Sequence, residues 1–559
     1  MTIARLSFAQ QIESRVASTA KDSRSVNCYF ESRGQNDVDN VKRPGLTLKK
    51  LLAAGTAQGM YRFNDCLIVV ISNTVYKVTS ALVVSNIGSI SGAVNNVYFA
   101  ESSAGAYLFL HNRTYGYTID SGMAAVTIVD STALTTPAIS IGGTGYLPGD
   151  TITFAAPGGG GTTATGTLVI DSGVITGITM TNNGSGYAVG DLPFDTTSGI
   201  TITTATGSNF VASCVLNGFP AGAMALAPGA VFIDGYTVVA TTAGQIFNSA
   251  TENPTSWNPL DYISAEADPD KIEGIIKHLN YIVVFGQWGT EFFYDAANPT
   301  GSPFLRNDGF KSEIGTPCGD CLTLLPQVVM YVGSSKTHGK SAYLLDGVSP
   351  KRVSTRYIDK YLNACTSNDF QGLSFRIDGH SFYLVTMPSL DLTLVYDLDE
   401  QKWYQWTSYY SAAEHAFTMW TATEFNAATY GLHATNGTLY QIDPTVASDD
   451  SVAIYWRVIT NRLDSGTMNR KFYKKAQIVG DKVSATMIIS HSGDDYQTWS
   501  TARTVDLSKN TRSIIYQCGW DRRRAWQFLV TDNVLLRFSD FEMEIEGGDM
   551  QSDPQMQQG

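Results

Sequence analysis

The chain has 559 residues and a formal charge of −13 at pH 7. This charge argues against a general nucleic-acid coat, which needs a basic surface to displace the counterions of the phosphate backbone. Fifty-one glycines, 28 tyrosines, 25 phenylalanines and only 16% charged residues favour turns and half-buried pleated surfaces. We therefore predict a mostly β protein with more than one domain.

The first residues set expectations about location. The opening stretch MTIARLSFAQQIESRV lacks the apolar core of a signal peptide, and no apolar run reaches the ~18 residues of a membrane helix. Seven scattered cysteines are typical of free thiols. We expect a chain without a membrane anchor that folds in a reducing cytoplasm. Residues 1–55 are predicted to form an extended arm that docks on a partner.

A repeated hairpin organises the next 400 residues. Each copy is an apolar strand, a polar turn and an alternating strand that ends near Tyr or Phe and Asp or Asn. The copies start at Cys66, Ala106, Tyr236, Tyr281, Val328, Phe382 and Thr429. Apart from one interval of 130 residues, the starts lie 40 to 54 residues apart, which is the length of a four-stranded propeller blade. We predict an all-β fold, a β-propeller of six or seven blades over residues 56–133 and 216–447; a tandem of β-sandwiches is the alternative.

The long interval contains an insertion at residues 134–215. Within it, GGTGYLPGD at 142–150 recurs as NGSGYAVGD at 183–191, and Asp171-Ser172-Gly173 reads as a hairpin turn. A strand rather than a helix follows the first copy, so its glycines are not a dinucleotide fingerprint. We predict a small β-module, either a decoration or a binder of a neighbour or a glycan.

The stretch GSSKTHGKS at 333–341 resembles a phosphate-binding loop. That loop needs four residues between its first glycine and Gly-Lys-Ser, and it must open a helix. Here five residues separate Gly333 from Gly339, and the run after Lys340 reads as a strand. We predict a strand–loop–strand hairpin without a nucleotide.

Other candidate chemistry is weak. Cys318-Gly-Asp-Cys321 has no second ligand pair for zinc, and the histidines are far apart in the sequence. The densest acidic group is Glu266, Asp268, Asp270 and Glu273, which we interpret as a solvated loop. We expect no enzyme, no metal and no cofactor.

Residues 448–547 contain six alternating segments and are predicted to form a C-terminal β-sandwich. The segments are Ile454 to Val458, Lys474 to Val479, Ala485 to Ser490, Arg512 to Gln517, Trp526 to Val530 and Phe538 to Glu546. The densest basic run, Arg522-Arg523-Arg524, either touches DNA phosphates or pairs with carboxylates of a neighbouring subunit. Residues 548–559 are predicted to be a tail or an interface arm.

Several stretches resemble the tail hub or nozzle proteins, also called packaged-DNA stabilisation proteins, of short-tailed bacteriophages. They are SRSVNCYFES at 23–32, KRPGLTL at 42–48, AEADPDKIEGIIKHLNYIVVFGQWGTEFFYD at 265–295 and RRRAWQFLVTDNVLLRFSDFEMEIEG at 522–547. The residues that match the family pattern in the third stretch are Pro269-Asp270, Phe285-Gly286 and Glu291 with Phe292, Phe293 and Tyr294. Shorter relatives lack the 134–215 module.

The resemblance implies a virion tail protein that forms a homohexameric ring below the portal adaptor. Such a ring extends the DNA channel, retains the packaged genome, guides its ejection, and carries tailspikes or fibres and a tip plug. Double-stranded DNA would pass without sequence-specific binding. Lys42, Arg43, Arg522, Arg523 and Arg524 are the candidate interface or DNA-proximal residues. The alternatives are a glycan-binding or glycan-cleaving propeller and, less well supported because a secretion signal is missing, a bacterial surface lectin.

Overall fold

The computed structural model describes residues 2–10, 12, 23–33, 38–188, 191, 199–203, 207–214, 216–220, 225–265, 270–298, 300–509 and 511–547. The chain divides into two compact units, residues 1–60 with 320–559 and residues 61–319. The predicted tail at 548–559 lies outside the described residues, as do Glu266, Asp268 and Pro269.

The first 51 residues contain five strands that join sheets of the chain itself. They are β1 (Thr2–Ser7), β2 (Arg24–Val26), β3 (Cys28–Ser32), β4 (Val38–Lys42) and β5 (Gly45–Leu51). Every sheet that they join is completed by strands from beyond residue 400. The expectation of a separate docking arm is therefore wrong for these strands, because their backbone groups are already paired within the chain.

Residues 57–128 form two sequential four-stranded sheets. Their strands are β6 (Ala57–Phe63), β7 (Cys66–Ile71), β8 (Thr74–Thr79), β9 (Val84–Ser89), β10 (Tyr98–Glu101), β11 (Tyr107–His111), β12 (Gly116–Asp120) and β13 (Val126–Ile128). Ser72 and Asn73 both have positive φ, 45° and 66°, which is the two-residue turn whose twist matches the flanking strands. Strand β7 is apolar and buried along its whole length. These sheets are the first two blades.

The insertion folds as a separate β-module with its own core. Its strands are β14 (Ala138–Thr144), β15 (Thr151–Phe154), β16 (Thr165–Asp171), β17 (Val174–Asn182), β18 (Ile200–Ile202) and β19 (Ser208–Ser213). Strands β14 and β19 pair, and β17, β16, β15 and β18 form a four-stranded sheet. The repeated Gly-x-Gly-Tyr has a packing reason. A Cβ on Gly143 would lie 2.8 Å from the Tyr146 ring, and one on Gly184 would lie 2.6 Å from the Tyr187 ring.

Two further blades complete the unit of residues 61–319. Their strands are β20 (Val231–Ile233), β21 (Tyr236–Ala240), β22 (Gln245–Ala250), β23 (Asn253–Ser264), β24 (Ile272–His278), β25 (Tyr281–Gly286), β26 (Thr290–Asp295) and β27 (Phe304–Ser312). The Asp270 carboxylate accepts a hydrogen bond from Trp288 N at 2.8 Å. A Cβ on Gly286 would lie 2.6 Å from that carboxylate, so the glycine of the Phe-Gly motif allows a close approach. Asp270 is a structural residue of the blade.

The chain continues with three more blades and one helix. The elements are β28 (Thr323–Leu325), β29 (Val328–Gly333), β30 (Ser341–Asp346), β31 (Ser349–Arg352), α1 (Arg356–Ala364), β32 (Gln371–Ile377), β33 (His380–Met387), β34 (Leu392–Asp397), β35 (Lys402–Tyr410), β36 (Ala413–Ala416), β37 (Met419–Phe425), β38 (Ala428–His433) and β39 (Thr438–Asp443). Short 3₁₀ turns lie at Ser103–Gly105, Gly319–Cys321 and Pro388–Leu390. Thr355 caps α1 by accepting a hydrogen bond from Ile358 N.

The last blade is closed by a strand from the N-terminal region. Strands β37, β38 and β39 provide three strands, and β5 supplies the fourth, in the order β37-β38-β39-β5. Leu46 of β5 lies opposite Ile442 of β39, and both side chains are buried. Within the described residues this arrangement gives seven four-stranded blades, the upper of the two predicted numbers.

The loop GSSKTHGKS joins β29 to β30, which pair with each other from Val329 opposite Leu345 to Gly333 opposite Ser341. Lys340 Nζ donates to the carbonyl oxygen of Cys365, and Lys340 N donates to Asn363 Oδ1 at 3.0 Å. The predicted hairpin is confirmed. Its lysine is held by the chain's own carbonyl.

The C-terminal region forms a β-sandwich. Strands β40 (Ser448–Asp449) and β41 (Val452–Ala453) extend the sheet of the last blade beyond β5. The strands of the sandwich that follow are β42 (Trp456–Ile459), β43 (Lys471–Gly480), β44 (Thr486–Ser492), β45 (Arg503–Asp506), β46 (Ser513–Tyr516), β47 (Trp520–Asp521), β48 (Ala525–Val530) and β49 (Arg537–Gly547). One sheet has the order β3-β4-β49-β43-β46 with β1 and β47 attached. The other runs β2-β42-β48-β44-β45 and continues through β2 into β35 and the blade β32-β33-β34-β35. All six predicted strands are present, and N-terminal strands complete both sheets. Trp456, Trp526, Phe528 and Phe541 lie in the core between them.

Candidate interface of the C-terminal domain

Two of the predicted basic residues lie inside the protein. Arg43 is 0% exposed, and its guanidinium makes a two-point contact with Asp449, at 2.9 Å to Oδ1 and 2.5 Å to Oδ2. Lys42 is 2% exposed, and its Nζ donates to the carbonyl oxygens of Asp532 and Val534. Burial lowers the pKa of Lys42 to about 8. An interface or DNA-proximal role for these two side chains is wrong, because neither has a solvent-facing group.

Asn27 is one of the hydrogen-bond partners of the buried Arg43 guanidinium. It has a φ of 57° between β2 and β3, and its side chain accepts from Arg43 Nε at 3.0 Å. The same side chain accepts from Thr407 N at 2.7 Å and donates to the carbonyl oxygen of Tyr455 at 2.9 Å. One side chain therefore ties the N-terminal strands to the sixth blade and to the start of the sandwich.

Arg524 is also buried, contrary to its predicted surface role. It is 0% exposed, its Nε donates to Asp521 Oδ2 at 2.5 Å, and its Nη1 donates to the carbonyl oxygen of Cys518 at 2.6 Å. The guanidinium lies over the Tyr473 ring at 4.0 Å. The adjacent Arg522 and Arg523 are exposed and lie in the bend between β47 and β48, whereas Arg524 turns into the core just before β48 begins.

Arg522 and Arg523 line a surface cavity. The cavity has a volume of about 300 Å³ and is bounded on its other side by the turn from Asp464 to Met468. Arg523 Nε lies 3.3 Å from Asp495 Oδ1. The backbone of Arg522 is held in place because its carbonyl oxygen accepts a hydrogen bond from Lys471 Nζ at 2.6 Å.

Large apolar side chains surround these arginines at the surface. Met468, Phe472, Tyr516 and Trp520 are 78%, 42%, 59% and 51% exposed. Phe472 lies opposite Trp520 across β43 and β47, which puts both rings on the outer side of the sheet. The Arg470 guanidinium lies 4.4 Å from the Trp520 ring centre. We call Met468, Arg470, Phe472, Tyr516, Trp520, Arg522 and Arg523 the basic-aromatic face.

The composition of this face is typical of protein interfaces, in which aromatic residues, Met and Arg are enriched. Exposed ion pairs continue from it across the outer side of the sheet, Lys474 with Glu546 at 2.6 Å and Lys475 with Glu544 at 2.8 Å. Such exposed pairs contribute little stability. Their regular arrangement keeps this side of the sheet soluble while the aromatic end stays uncovered.

Charge is distributed unevenly along the chain. Residues 451–547 contain 14 Lys and Arg against 11 Asp and Glu, a net charge of +3. The remainder contains 24 against 40, a net charge of −16. Residues 1–60 also carry a net positive charge, with nine Lys and Arg against five Asp and Glu. The basic-aromatic face is therefore on one of two positively charged parts of an acidic chain, which favours an acidic partner.

Only part of this face was predicted from the sequence. Arg522 and Arg523 were found from their charge, but Met468, Arg470, Phe472 and Trp520 were not. The segment RKFYKK carried a usable signal, because strict alternation from the inward Tyr473 would have put Phe472 outward.

Within the described ranges, no group of three or more His, Cys, Asp or Glu is placed to hold a metal ion. Cys321 is buried, and its Sγ accepts a hydrogen bond from Val332 N at 3.3 Å. In the same part of the chain, no helix combines the length and apolar character needed to cross a membrane.

Comparison with known proteins gives one family match. Residues 223–447 match the family model described as "Bacteriophage P22 Gp10, beta-propeller". This segment holds β20 to β39, five of the seven blades. It confirms the predicted propeller and the resemblance to the phage stabilisation proteins. No curated protein matches the chain.

Solved structures are similar only at low identity. The chain is similar to BamB from Moraxella catarrhalis with 12% identity and a TM-score of 0.34, covering 72% of this chain and 97% of that one. It is also similar to the computationally designed Ika8 protein, with 11% identity, a TM-score of 0.32, and 72% and 99% covered. The N-terminal domain of Nup159 is 7% identical with a TM-score of 0.34, covering 75% and 98%.

Proposed function

We propose, because residues 223–447 match the family model of a phage stabilisation β-propeller, that this protein is a tail hub or nozzle of a short-tailed bacteriophage. In this proposal it is a structural virion protein without enzymatic activity. Six copies form a ring below the portal adaptor, extend the DNA channel, retain the packaged genome until ejection, and carry tailspikes or fibres. The family match over five blades is the observation that carries the proposal.

The charge and rigidity of the chain support a passive channel. Buried inner strands make each of the small sheets stiff, and the acidic remainder of the chain repels a duplex rather than gripping it. At 0.1 M salt such repulsion is screened beyond about 10 Å, so it acts only near the channel wall. The packaged DNA would then be retained because a loop or a tip plug blocks the channel, and not because the channel wall binds the DNA.

The basic-aromatic face supports contact between copies. An obligate assembly needs a self-complementary or head-to-tail surface. A face with three arginines and exposed aromatic rings suits a neighbour whose residues outside 451–547 carry a formal net charge of −16. We assign the subunit contact to this face.

The test is the assembly state of the purified full chain and of two matched variants. We expect mass photometry and electron microscopy to show six-membered rings, alone or on the portal adaptor. Trp520→Ser combined with Arg522→Glu should abolish the rings, whereas Val169→Ser, which removes an equally exposed apolar side chain from the module (52% exposed), should not. A monomeric chain that still completes infectious particles would contradict the proposal.

A glycan-binding role for the module is the second candidate, favoured by one observation. The solvent side of its four-stranded sheet carries four Thr-x-Thr pairs, an uncharged hydroxyl-rich surface. The pairs are Thr151 with Thr153, Thr165 with Thr167, Thr179 with Thr181 and Thr201 with Thr203. Binding of the full chain to a glycan array, lost when residues 134–216 are excised, would support this role. If the rings form and the full chain binds no glycan, only the tail hub proposal remains.

A further inference from the structure

A second cavity of the sandwich lies apart from the basic-aromatic face proposed as the subunit contact, sharing only Trp520 with it. It has a volume of about 360 Å³, and residues from both sheets line it. His491 at the end of β44, Arg503 of β45 and Trp526 of β48 come from one sheet. Gln517 and Trp520 come from the other side, near β46 and β47. We call this cavity the guanidinium cleft.

The cleft has an excess of positive charge. Arg503 and Arg524 both line it, no described Asp or Glu does, and the carboxylate of Asp521 behind it is already bound to Arg524. His491 lies 4.0 Å from the same carboxylate. Burial, reinforced by the charge of Arg524, lowers the pKa of His491 to about 4, so the imidazole is neutral at pH 7. Two guanidinium groups against one carboxylate leave one positive charge uncompensated.

Hydrogen-bond donors are also left over at the cleft. Trp526 is 1% exposed, and its Nε1 has no hydrogen-bond partner. The hydroxyl of Tyr473, under the Arg524 guanidinium, is buried and unpaired as well, although Tyr473 does not itself line the cleft. Arg524 Nη2 lies 2.5 Å from Asp521 Oδ2 without the alignment of a hydrogen bond. Buried polar groups are nearly always satisfied, so unpaired donors that cluster at one cavity point to an absent acceptor.

We propose that the guanidinium cleft binds an oxyanion, a carboxylate or a phosphate, held by Arg503, Arg524 and the Trp526 N–H. Charge-assisted hydrogen bonds from guanidinium groups to such oxygens are stronger than neutral ones, and the planar group fits two oxygens at once. The volume is sufficient for a phosphate ion or for the end of an Asp or Glu side chain. The oxyanion is either a free ion or a carboxylate that a neighbouring copy presents.

The direct test is calorimetric titration of the full chain with inorganic phosphate at constant ionic strength in chloride. Phosphate should bind to the wild type. Arg503→Gln and Trp526→Phe, which removes the N–H and keeps the ring, should each weaken binding at least tenfold. Arg512→Gln removes an equally positive but outward-facing residue, 62% exposed at the side chain, and should bind phosphate as the wild type does.

A second readout separates site binding from a general charge effect. Bound anion should raise the pKa of His491 from about 4, as followed by NMR of histidine-labelled protein, in the wild type and in Arg512→Gln but not in Arg503→Gln. If phosphate is released when rings form, the natural oxyanion is a carboxylate of a neighbouring copy that displaces it. If phosphate stays bound in the rings, the natural oxyanion is a free ion. Absence of binding by phosphate and acetate, or equal binding by all variants, would overturn the proposal.

Discussion

Arg43→Met would test how much the buried ion pair at the start of the propeller stabilises the protein. The five N–H groups of Arg43 serve five hydrogen bonds: one to Asn27, one each to the carbonyl oxygens of Pro44 and Thr407, and two to Asp449. Methionine fills a similar volume but leaves the Asp449 carboxylate without its cation. Breaking a buried pair from one side costs about 3–5 kcal/mol.

The loss should be measured by urea unfolding and by calorimetry on the full chain. For a unit of this size, 1 kcal/mol shifts the midpoint by roughly 2–4 °C, so we expect the transition that includes Arg43 to fall by on the order of 10 °C. Arg512→Gln is the matched control because its pair with Glu542 is exposed, and it should cost less than about 1 kcal/mol.

Asp449→Asn completes a double-mutant cycle. If the pair acts as a unit, the double variant Arg43→Met with Asp449→Asn should be more stable than Arg43→Met alone, because the unpaired buried charge is gone. A loss for Arg43→Met no larger than that of Arg512→Gln would refute the interpretation. So would additive effects across the cycle.

Three further predictions concern other parts of the chain. Burial disfavours the charged form of His380, but its 2.7 Å hydrogen bond to Asp397 and the charge of that carboxylate raise its pKa overall. The wild type should therefore be more stable than His380→Asn, with the full difference below about pH 6.5 and none once the pH has risen through the raised pKa. Urea unfolding at a series of pH values measures this difference. Gly45→Ala places a Cβ 2.5 and 2.6 Å from two backbone oxygens and should cost about 1–3 kcal/mol by thermal unfolding, whereas Gly159→Ala, with nothing within 4 Å, should not. Replacing residues 134–216 with a short linker should leave the circular dichroism of the remaining chain and its solubility unchanged, because Asn217 N donates a 2.8 Å hydrogen bond to the carbonyl oxygen of Ala133 and the two ends are therefore close. Aggregation of the shortened chain would contradict this prediction.

Local patterns were sufficient for much of the fold. Apolar runs such as Cys66–Ile71, turns such as Ser172-Gly173, and a spacing of 40 to 54 residues are all properties of short windows, and they predicted the hairpins, the blades and the module. The tyrosine and glycine repeat of the module also has a local cause, since each ring packs on a glycine of its own copy. These features depend on alternation and turn geometry, which a sequence displays directly.

Only the tertiary structure decided the roles of the N-terminal strands and of the basic residues. Strand β5 closes the seventh blade, and Arg43 finds its carboxylate 406 residues away in the chain. A charged side chain is exposed by default, so without knowledge of their distant partners Lys42 and Arg43 were expected at the surface. Arg524 was expected there too, because the Tyr473 ring that its guanidinium covers comes from a separate strand. Pairing across such separations depends on how the whole chain closes, and no window of sequence contains that information. The same holds for the basic-aromatic face, because β43 and β47 bring Phe472 and Trp520 together only after the sheet has formed.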